Sequence, residues 1–242
     1  MSETKLDILY QDDFLLVINK PAGVVVNRAE SVKDETIQDI IERDGLLDLA
    51  VDDEEFKKRT GLVHRIDKET SGCLIVAKQP DIYYQLTQAF KYQRIKKTYL
   101  ALLHGKLVPR EGTIDAPVGR LPWNKERFGI VPGGKESVTQ YMVDRYFEKD
   151  GKFLSLVTFF PRTGRTHQIR VHAKYLGFPL VGDYLYGGRK QQILDRAWCP
   201  RVFLHALKID FSHPVTNAHI QVQVPLPPDL REVLTVLKPI NA

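Results

Sequence analysis

Apolar positions near the start of the chain fall in short β-branched runs. Residues 6–10 and 14–19 are two such runs separated by Gln11-Asp12-Asp13, which predicts a β-hairpin. Pro21-Ala22-Gly23 closes it in a turn, and Val24-Val25-Val26 predicts a resumed extended path. The spacing then changes. Residues 36–42 predict a short helix with Ile37, Ile40 and Ile41 on one side and Gly45 near its end. Residues 61–66 and 73–77 predict strands joined by a polar connection over 67–72. Helical spacing returns over 81–92, where Ile82, Leu86, Ala89 and Phe90 form one face and Asp81 is the predicted N-cap.

Residues 98–103 predict a buried strand, followed by a loop rich in Gly, Pro and basic residues that holds Arg120, Trp123, Lys125, Arg127 and Phe128. Residues 138–147 and 153–160 predict a long hairpin turned at Lys149-Asp150-Gly151. A helix is predicted over 165–176, with Gly164 before it, Gly177 as its stop, and Ile169, Val171, His172 and Leu176 as its apolar bulk. Strands at 202–211 and 220–224 follow, then a last helix over 229–237 carrying Leu230, Val233, Leu234 and Leu237. Many strands with scattered helices and no βαβ rhythm predict an α+β fold, a mainly antiparallel mixed sheet flanked by helices and loops. No repeat, low-complexity tract or linker interrupts the pattern, so residues 1–242 read as a single domain of catalytic size.

Composition narrows the class. An apolar share of 43% with 10% aromatic residues excludes a disordered chain. No apolar run approaches the ~20 residues of a membrane-spanning helix. Residues 1–7 show no apolar stretch of a leader, so a cytoplasmic protein is expected. Cys73 and Cys199 are too few for a disulfide scaffold or a four-thiolate zinc site. The 35 Lys and Arg against 30 Asp and Glu leave a net charge of only +5, but unevenly spread. No acid occurs over 82–110, which holds Lys91, Arg94, Lys96, Lys97, Lys106 and Arg110. None occurs over 151–182 either, which holds Lys152, Arg162, Arg165, Arg170 and Lys174, while acids gather at Asp48, Asp52, Asp53, Glu54 and Glu55. A basic face for a polyanion, set against an acidic side, is one reading; ordinary solvated cations are the other.

Two segments carry candidate chemistry. The loop HRIDKETSG, residues 64–72, places Asp67 where a predicted strand gives way to a polar connection, a position from which a carboxylate can face a cleft. Asp in a turn also serves local hydrogen bonding, as Thr70 and Ser71 do. The segment 161–170 sets a Gly, three arginines and His167 at the start of a predicted helix. That arrangement suits an anion, either a phosphate or a carboxylate such as Asp67; surface ion pairs and a packed histidine are the plainer alternative.

HRIDKETSG followed by CLIVAK resembles the signature of the RluA-type pseudouridine synthases. Further segments agree in order: INKPAG at 18–23, KTYLAL at 97–102, TGRTHQIRVH at 163–172, LHA at 204–206 and FSHP at 211–214. The resemblance runs from about Leu6 to the C-terminus. It implies isomerisation of uridine in structured RNA, ribosomal or transfer, on a pseudouridine-synthase-like fold without a cofactor or a metal. It implies that Asp67 is the essential carboxylate, by attack on the ribose anomeric carbon, attack on the base, or deprotonation of the sugar. Arg165 is implied as its basic partner, Tyr99 as the ring on the flipped uracil, and Arg65 as the residue inserted where the uridine leaves the stack. Ile169 and Leu204 are implied as uracil-pocket residues, though core packing explains them equally well.

Relatives often carry a small RNA-binding extension ahead of this domain; its absence is expected here, leaving the basic stretches and the Arg120–Phe128 loop to grip RNA. No membrane contact and no obligate protein partner is expected, with a monomer as the default. Two other classes remain in view. A catalytically silent RNA-binding protein on the same fold would not need Asp67, Tyr99 and Arg165 together. A glycosidase would usually need a second carboxylate, and the acid-free segments around Tyr99 and Arg165 offer none.

Overall fold

Residues 4–240 are described by a computed structural model; the first positions of the 1–7 stretch and the side chain of Lys125 lie outside the described residues. Strands β1 (Asp7–Gln11) and β2 (Leu15–Lys20) form the predicted antiparallel hairpin, with Ile8 opposite Ile18. Asp12 shapes its turn by accepting from the backbone N–H of Phe14 and Leu15 at 2.8 and 2.9 Å. The three valines at 24–26 join no ladder. Instead the Val25 and Val26 carbonyls accept from the first donors of α1 (Ile37–Arg43), N–H groups that a helix leaves without internal partners. Thr36 and Asp39 close that helix start with a capping box.

Helix α2 (Glu54–Arg59) has no counterpart in the hydrophobic pattern, because Phe56 is its one buried residue. Asp53 caps it, Glu54 and Glu55 lie in its first turn and Arg59 in its last, in the sense that complements the helix dipole. Part of the acidic cluster at 48–55 therefore serves a local helix. The expected strand over 61–66 is reduced to one bridge, Leu62 to Val76. Beyond it the His64 ring takes over, its Nε2 accepting the Ile75 N–H at 2.9 Å that a neighbouring strand would have bound. Strand β3 (Ser71–Ala77) is buried at every position, which is why it reads as an unbroken apolar run. Helix α3 (Pro80–Lys91) starts on Pro80 with Gln79 as N-cap; Asp81 sits in its first turn rather than capping it.

Strand β4 (Lys96–His104) matches expectation, but the Gly- and Pro-rich stretch after it is not a loop. It contains β5 (Glu111–Asp115) and a hairpin of β6 (Val118–Leu121) and β7 (Asn124–Ile130). Strands β8 (Val138–Lys149) and β9 (Lys152–Pro161) form the long hairpin, turning through Asp150 and Gly151, both with positive φ. A bulge at Asp144 shifts the register of β8 by one residue, so Tyr141, Val143 and then Tyr146 all reach the same core. Helix α4 (Gln168–Tyr175) begins later than its pattern suggests, after His167 in a left-handed conformation (φ 56°), so Arg165 precedes the helix. Helix α5 (Arg189–Arg196) buries only Asp195 and leaves no apolar period to read. Strands β10 (Leu204–Ser212) and β11 (His219–Gln223), helix α6 (Pro228–Thr235) and strand β12 (Lys238–Ile240) complete the chain.

The chain divides into two compact units. The first, up to Lys96 with Ala206–Val224, orders its strands β1-β2-β3-β10, with β11 antiparallel to β10. Its core gathers Leu15, Val17, Phe56, Cys73, Ile75, Leu86 and Phe211. The second, Lys97–His205 with the segment from Pro225, runs β4-β9-β8 antiparallel, with β5 and β12 sharing the far edge of β8. One of its cores holds Ala101, Tyr141, Val157, Phe159, Ile169 and Leu204, and another Leu102, Phe147, Cys199, Phe203 and Leu230. The fold is α+β with a mostly antiparallel sheet, as the spacing implied. Among the described residues no helix is long and apolar enough to cross a membrane.

Candidate active site

Asp67 and Arg65 belong to the first unit; Tyr99, Arg165, Ile169 and Leu204 belong to the second. Asp67 is partly buried on the segment leading to β3, and its carbonyl accepts from Thr70 N at 3.1 Å, tightening the backbone into a turn. The next carbonyl, of Lys68, is bound twice, by Gly23 N at 2.8 Å and by Lys20 Nζ at 3.1 Å. Lys20 is fully buried, and its ammonium also donates to the carbonyls of Pro21 and Val24 at 2.7 and 2.8 Å. One cation thus ties the turn at 21–24 to the backbone beside Asp67, with three acceptors offsetting its burial. His64 stacks on Phe90, ring centroids 4.5 Å apart, while accepting from Ile75 N. Arg65 between these anchored residues is exposed, while Ile66 is buried.

Gly72, the last residue of the loop, has φ 116°, and a Cβ there would stand 2.2 Å from the Ala206 carbonyl. Only glycine fits that close approach of β3 to β10.

In the second unit, Tyr99 lies opposite Phe159 on β9 and packs against the cluster that includes Ile169 and Leu204. All three candidate residues thus belong to or border one apolar cluster, with Ile169 and Leu204 nearly buried at 6% and 4% exposure. Arg165 stands on a loop held by Gln168. The Gln168 Oε1 accepts from Arg165 N at 2.9 Å and from the Thr163 hydroxyl at 2.8 Å, and its Nε2 donates to Val138 O and Thr139 Oγ1. Arg165 Nε itself donates to the Glu136 carbonyl at 3.0 Å. Gln168 is buried, so the loop rests on a fixed side chain rather than on solvent. Lys97 Nζ adds a bond to the Thr163 carbonyl at 2.9 Å.

The hairpin β6–β7 is fastened to the same region. Tyr186 Oη accepts from Phe128 N at 3.1 Å and contacts His167 Nδ1 at 2.9 Å, and Phe128 meets the His167 ring edge-on. Arg120 lies over the Phe128 ring at 5.2 Å, and Trp123 at the hairpin tip is 80% exposed. Not all cations of the acid-free stretches face outward. Arg170 is 4% exposed and bound to both carboxylate oxygens of Asp183 at 2.8 Å, so it stabilises the fold rather than a ligand face.

Lys20, Gln168 and Tyr186 were not singled out from sequence as site residues. The INKPAG and HQIR segments named the first two as parts of motifs, but their contacts with main-chain and hydroxyl groups appear only in the folded chain.

Comparison with known proteins accounts for this combination. The family model described as RNA pseudouridylate synthase matches residues 14–175. An uncharacterized RNA pseudouridine synthase of Bacillus subtilis, YlyB, is 38% identical over 235 residues, 96% of this chain and 73% of that protein. The ribosomal large subunit pseudouridine synthase D of Pseudomonas aeruginosa is 36% identical over 98% of this chain and 73% of its own length. The solved structure of human RNA pseudouridylate synthase domain containing 1 superposes with a TM-score of 0.73 at 29% identity, covering 98% of this chain and 89% of that one. Fold and motifs together define an RNA-modifying isomerase. The chain belongs to the RNA pseudouridine synthase family, in its RluA-type branch, and its substrate is RNA.

Proposed function

We propose that this enzyme converts specific uridines of structured RNA to pseudouridine with Asp67 as its essential carboxylate. The observation that carries the reading is Asp67 itself, set in HRIDKETSG on a backbone that Lys20 and Gly23 anchor from one residue away. In the overall reaction the N1–C1′ bond of uridine breaks, a C5–C1′ bond forms, the C5 proton leaves to solvent and N1 takes up a proton. A carboxylate held on an ordered turn suits either nucleophilic or base catalysis in that sequence. Tyr99 provides the ring for the extruded uracil, with Ile169 and Leu204 as pocket residues, and Arg165 is the basic partner that the family resemblance implies for the catalytic carboxylate. Arg65, exposed beside the buried Ile66, fills the stack the uridine leaves. The exposed Trp123 and the Arg120–Phe128 pair supply a grip on the strand. Ribosomal RNA is the favoured substrate, by similarity to the ribosomal large subunit pseudouridine synthases D of Pseudomonas aeruginosa and Vibrio parahaemolyticus, with transfer RNA as the other class.

The test is release of tritium from RNA labelled at uracil C5. Asp67→Asn and Asp67→Ala lose release by about a thousandfold or more while RNA affinity changes little. Full activity in Asp67→Ala would remove the proposed mechanism. Arg65→Ala folds normally and turns over more slowly on a structured stem-loop; an unchanged rate there counts against its insertion.

A further inference from the structure

The segment leading to Asp67 leaves its sheet on a side-chain hydrogen bond. The Gly61 carbonyl accepts from Ala77 N at 2.8 Å, and Leu62 is bridged antiparallel to Val76. The same register would next bring the Val63 carbonyl to the Ile75 N–H. That donor is bound by His64 Nε2 instead, at 2.9 Å. Ile75 is fully buried, so water cannot serve its N–H if the ring withdraws. The imidazole is stacked on Phe90 of α3, centroids 4.5 Å apart and planes 30° apart, so the ring is held from a second side.

A backbone nitrogen can only donate, so Nε2 offers its lone pair and the ring hydrogen sits on Nδ1. Only a neutral imidazole has that lone pair. A protonated ring carries a hydrogen on both nitrogens, and its Nε2–H would face the Ile75 N–H. The elements packed against the ring hold few other ionisable groups. Strand β3 contributes only the Cys73 thiol. Helix α3 contributes Asp81, Tyr83, Tyr84 and Lys91, of which Lys91 adjoins Phe90. The segment itself adds Arg65, Asp67, Lys68 and Glu69.

We propose that His64 is a positioning residue of this enzyme, whose neutral imidazole stands in for a ladder carbonyl. The main chain is thereby released from the sheet before Arg65, while Asp67 keeps a fixed base three residues away. A proton on the ring breaks the bond to Ile75 and removes that base. Activity is therefore whole where the ring is neutral and falls as acid protonates it. This role rests on the reading of Asp67 as the essential carboxylate and adds the device that holds its segment.

The test compares tritium release from C5-labelled RNA by the parent, His64→Gln and His64→Phe across pH. Gln Oε1 stands as many bonds from Cβ as the histidine Nε2 and accepts without titrating. His64→Gln accordingly keeps the alkaline plateau within about threefold, and holds it to lower pH than the parent does. His64→Phe keeps the stack and loses the acceptor. Its turnover drops about tenfold on the plateau, while RNA affinity changes by less than about twofold. Losses that begin at other groups, Asp67 included, appear in the parent and His64→Gln alike.

Coincident acid limbs in those two proteins overturn the role, as does a His64→Phe protein as active as the parent. Where His64→Phe does not fold, the acid limbs still decide. Nitrogen-15 NMR of the histidine-labelled parent needs no variant: it finds the His64 hydrogen on Nδ1 at the plateau pH, and a hydrogen on Nε2 overturns the role. A parent that releases tritium with coincident limbs removes the positioning role alone. A parent that releases none removes the isomerase reading alone. The role is then read from exchange protection of the Ile75 amide, which falls in acid for the parent and not for His64→Gln; an equal fall in both overturns it.

Discussion

His172 is completely buried on α4, and its neighbours decide where its proton sits. Nε2 lies 3.0 Å from the Ala116 carbonyl, which can only accept, so Nε2 carries the hydrogen and Nδ1 accepts from the Thr139 hydroxyl at 2.9 Å. Burial holds the imidazole pKa below its ordinary value, against the upward pull of the Ala116 bond and of Asp115. Below about pH 6.5 the unfolded chain binds a proton here that the native protein still refuses. Stability from this residue is therefore whole above that pH and declines below it, by at most about 1.4 kcal/mol per pH unit. Urea unfolding between neutral and mildly acid pH measures the decline, and His172→Asn flattens it; an equal slope in the variant would refute the assignment. At this scale the motifs made the family legible and singled out Asp67 as its candidate carboxylate. They could not convey what depends on main-chain partners, such as the three carbonyls around Lys20 or the amide of Gln168 under Arg165.

The hairpin β6–β7 joins a rigid base to an open tip. Val118, Phe128 and Ile130 pack with Val171 and Tyr186, while Trp123 projects from the turn. Trp123→Ala consequently changes stability by no more than about 0.5 kcal/mol. Loss of a base-stacking platform weakens RNA binding by about 1–3 kcal/mol. Tryptophan fluorescence reports the contact directly, and a quench by RNA that survives in Trp123→Ala would place it elsewhere. Elements with a buried face were readable from spacing: β2, β3, α3, β8 and β9 appear close to their expected positions. Those missed have another kind of stabilisation. Helix α2 relies on caps and charges around Phe56, α5 on Asp195, and the hairpin on a face whose Gly and Arg residues hide the alternation. The expected strand at 61–66 failed for a related reason, because a histidine ring replaced its hydrogen bonding.

Across the whole chain, the +5 charge proves a poor guide until its cations are assigned to partners. Arg170 belongs to Asp183, Arg201 to Asp229 and Arg28 to Asp39 and Glu42, and the acids at 53–55 belong to α2. Fewer cations than the raw totals suggest are therefore left for a polyanion. The two compact units have cores of their own, and each unit has one cysteine in a core. Cys73 is 2% exposed in the first and Cys199 fully buried in the second, and desolvation lifts both thiols to a pKa of about 12. Neither reacts at neutral pH while its unit stays closed, so a disulfide reagent leaves both intact in native buffer on a timescale that fully labels the denatured chain. As denaturant is raised, mass spectrometry can follow the two modifications separately. Each sulfur then acts as a clock for the opening of its own core, with no residue added or replaced.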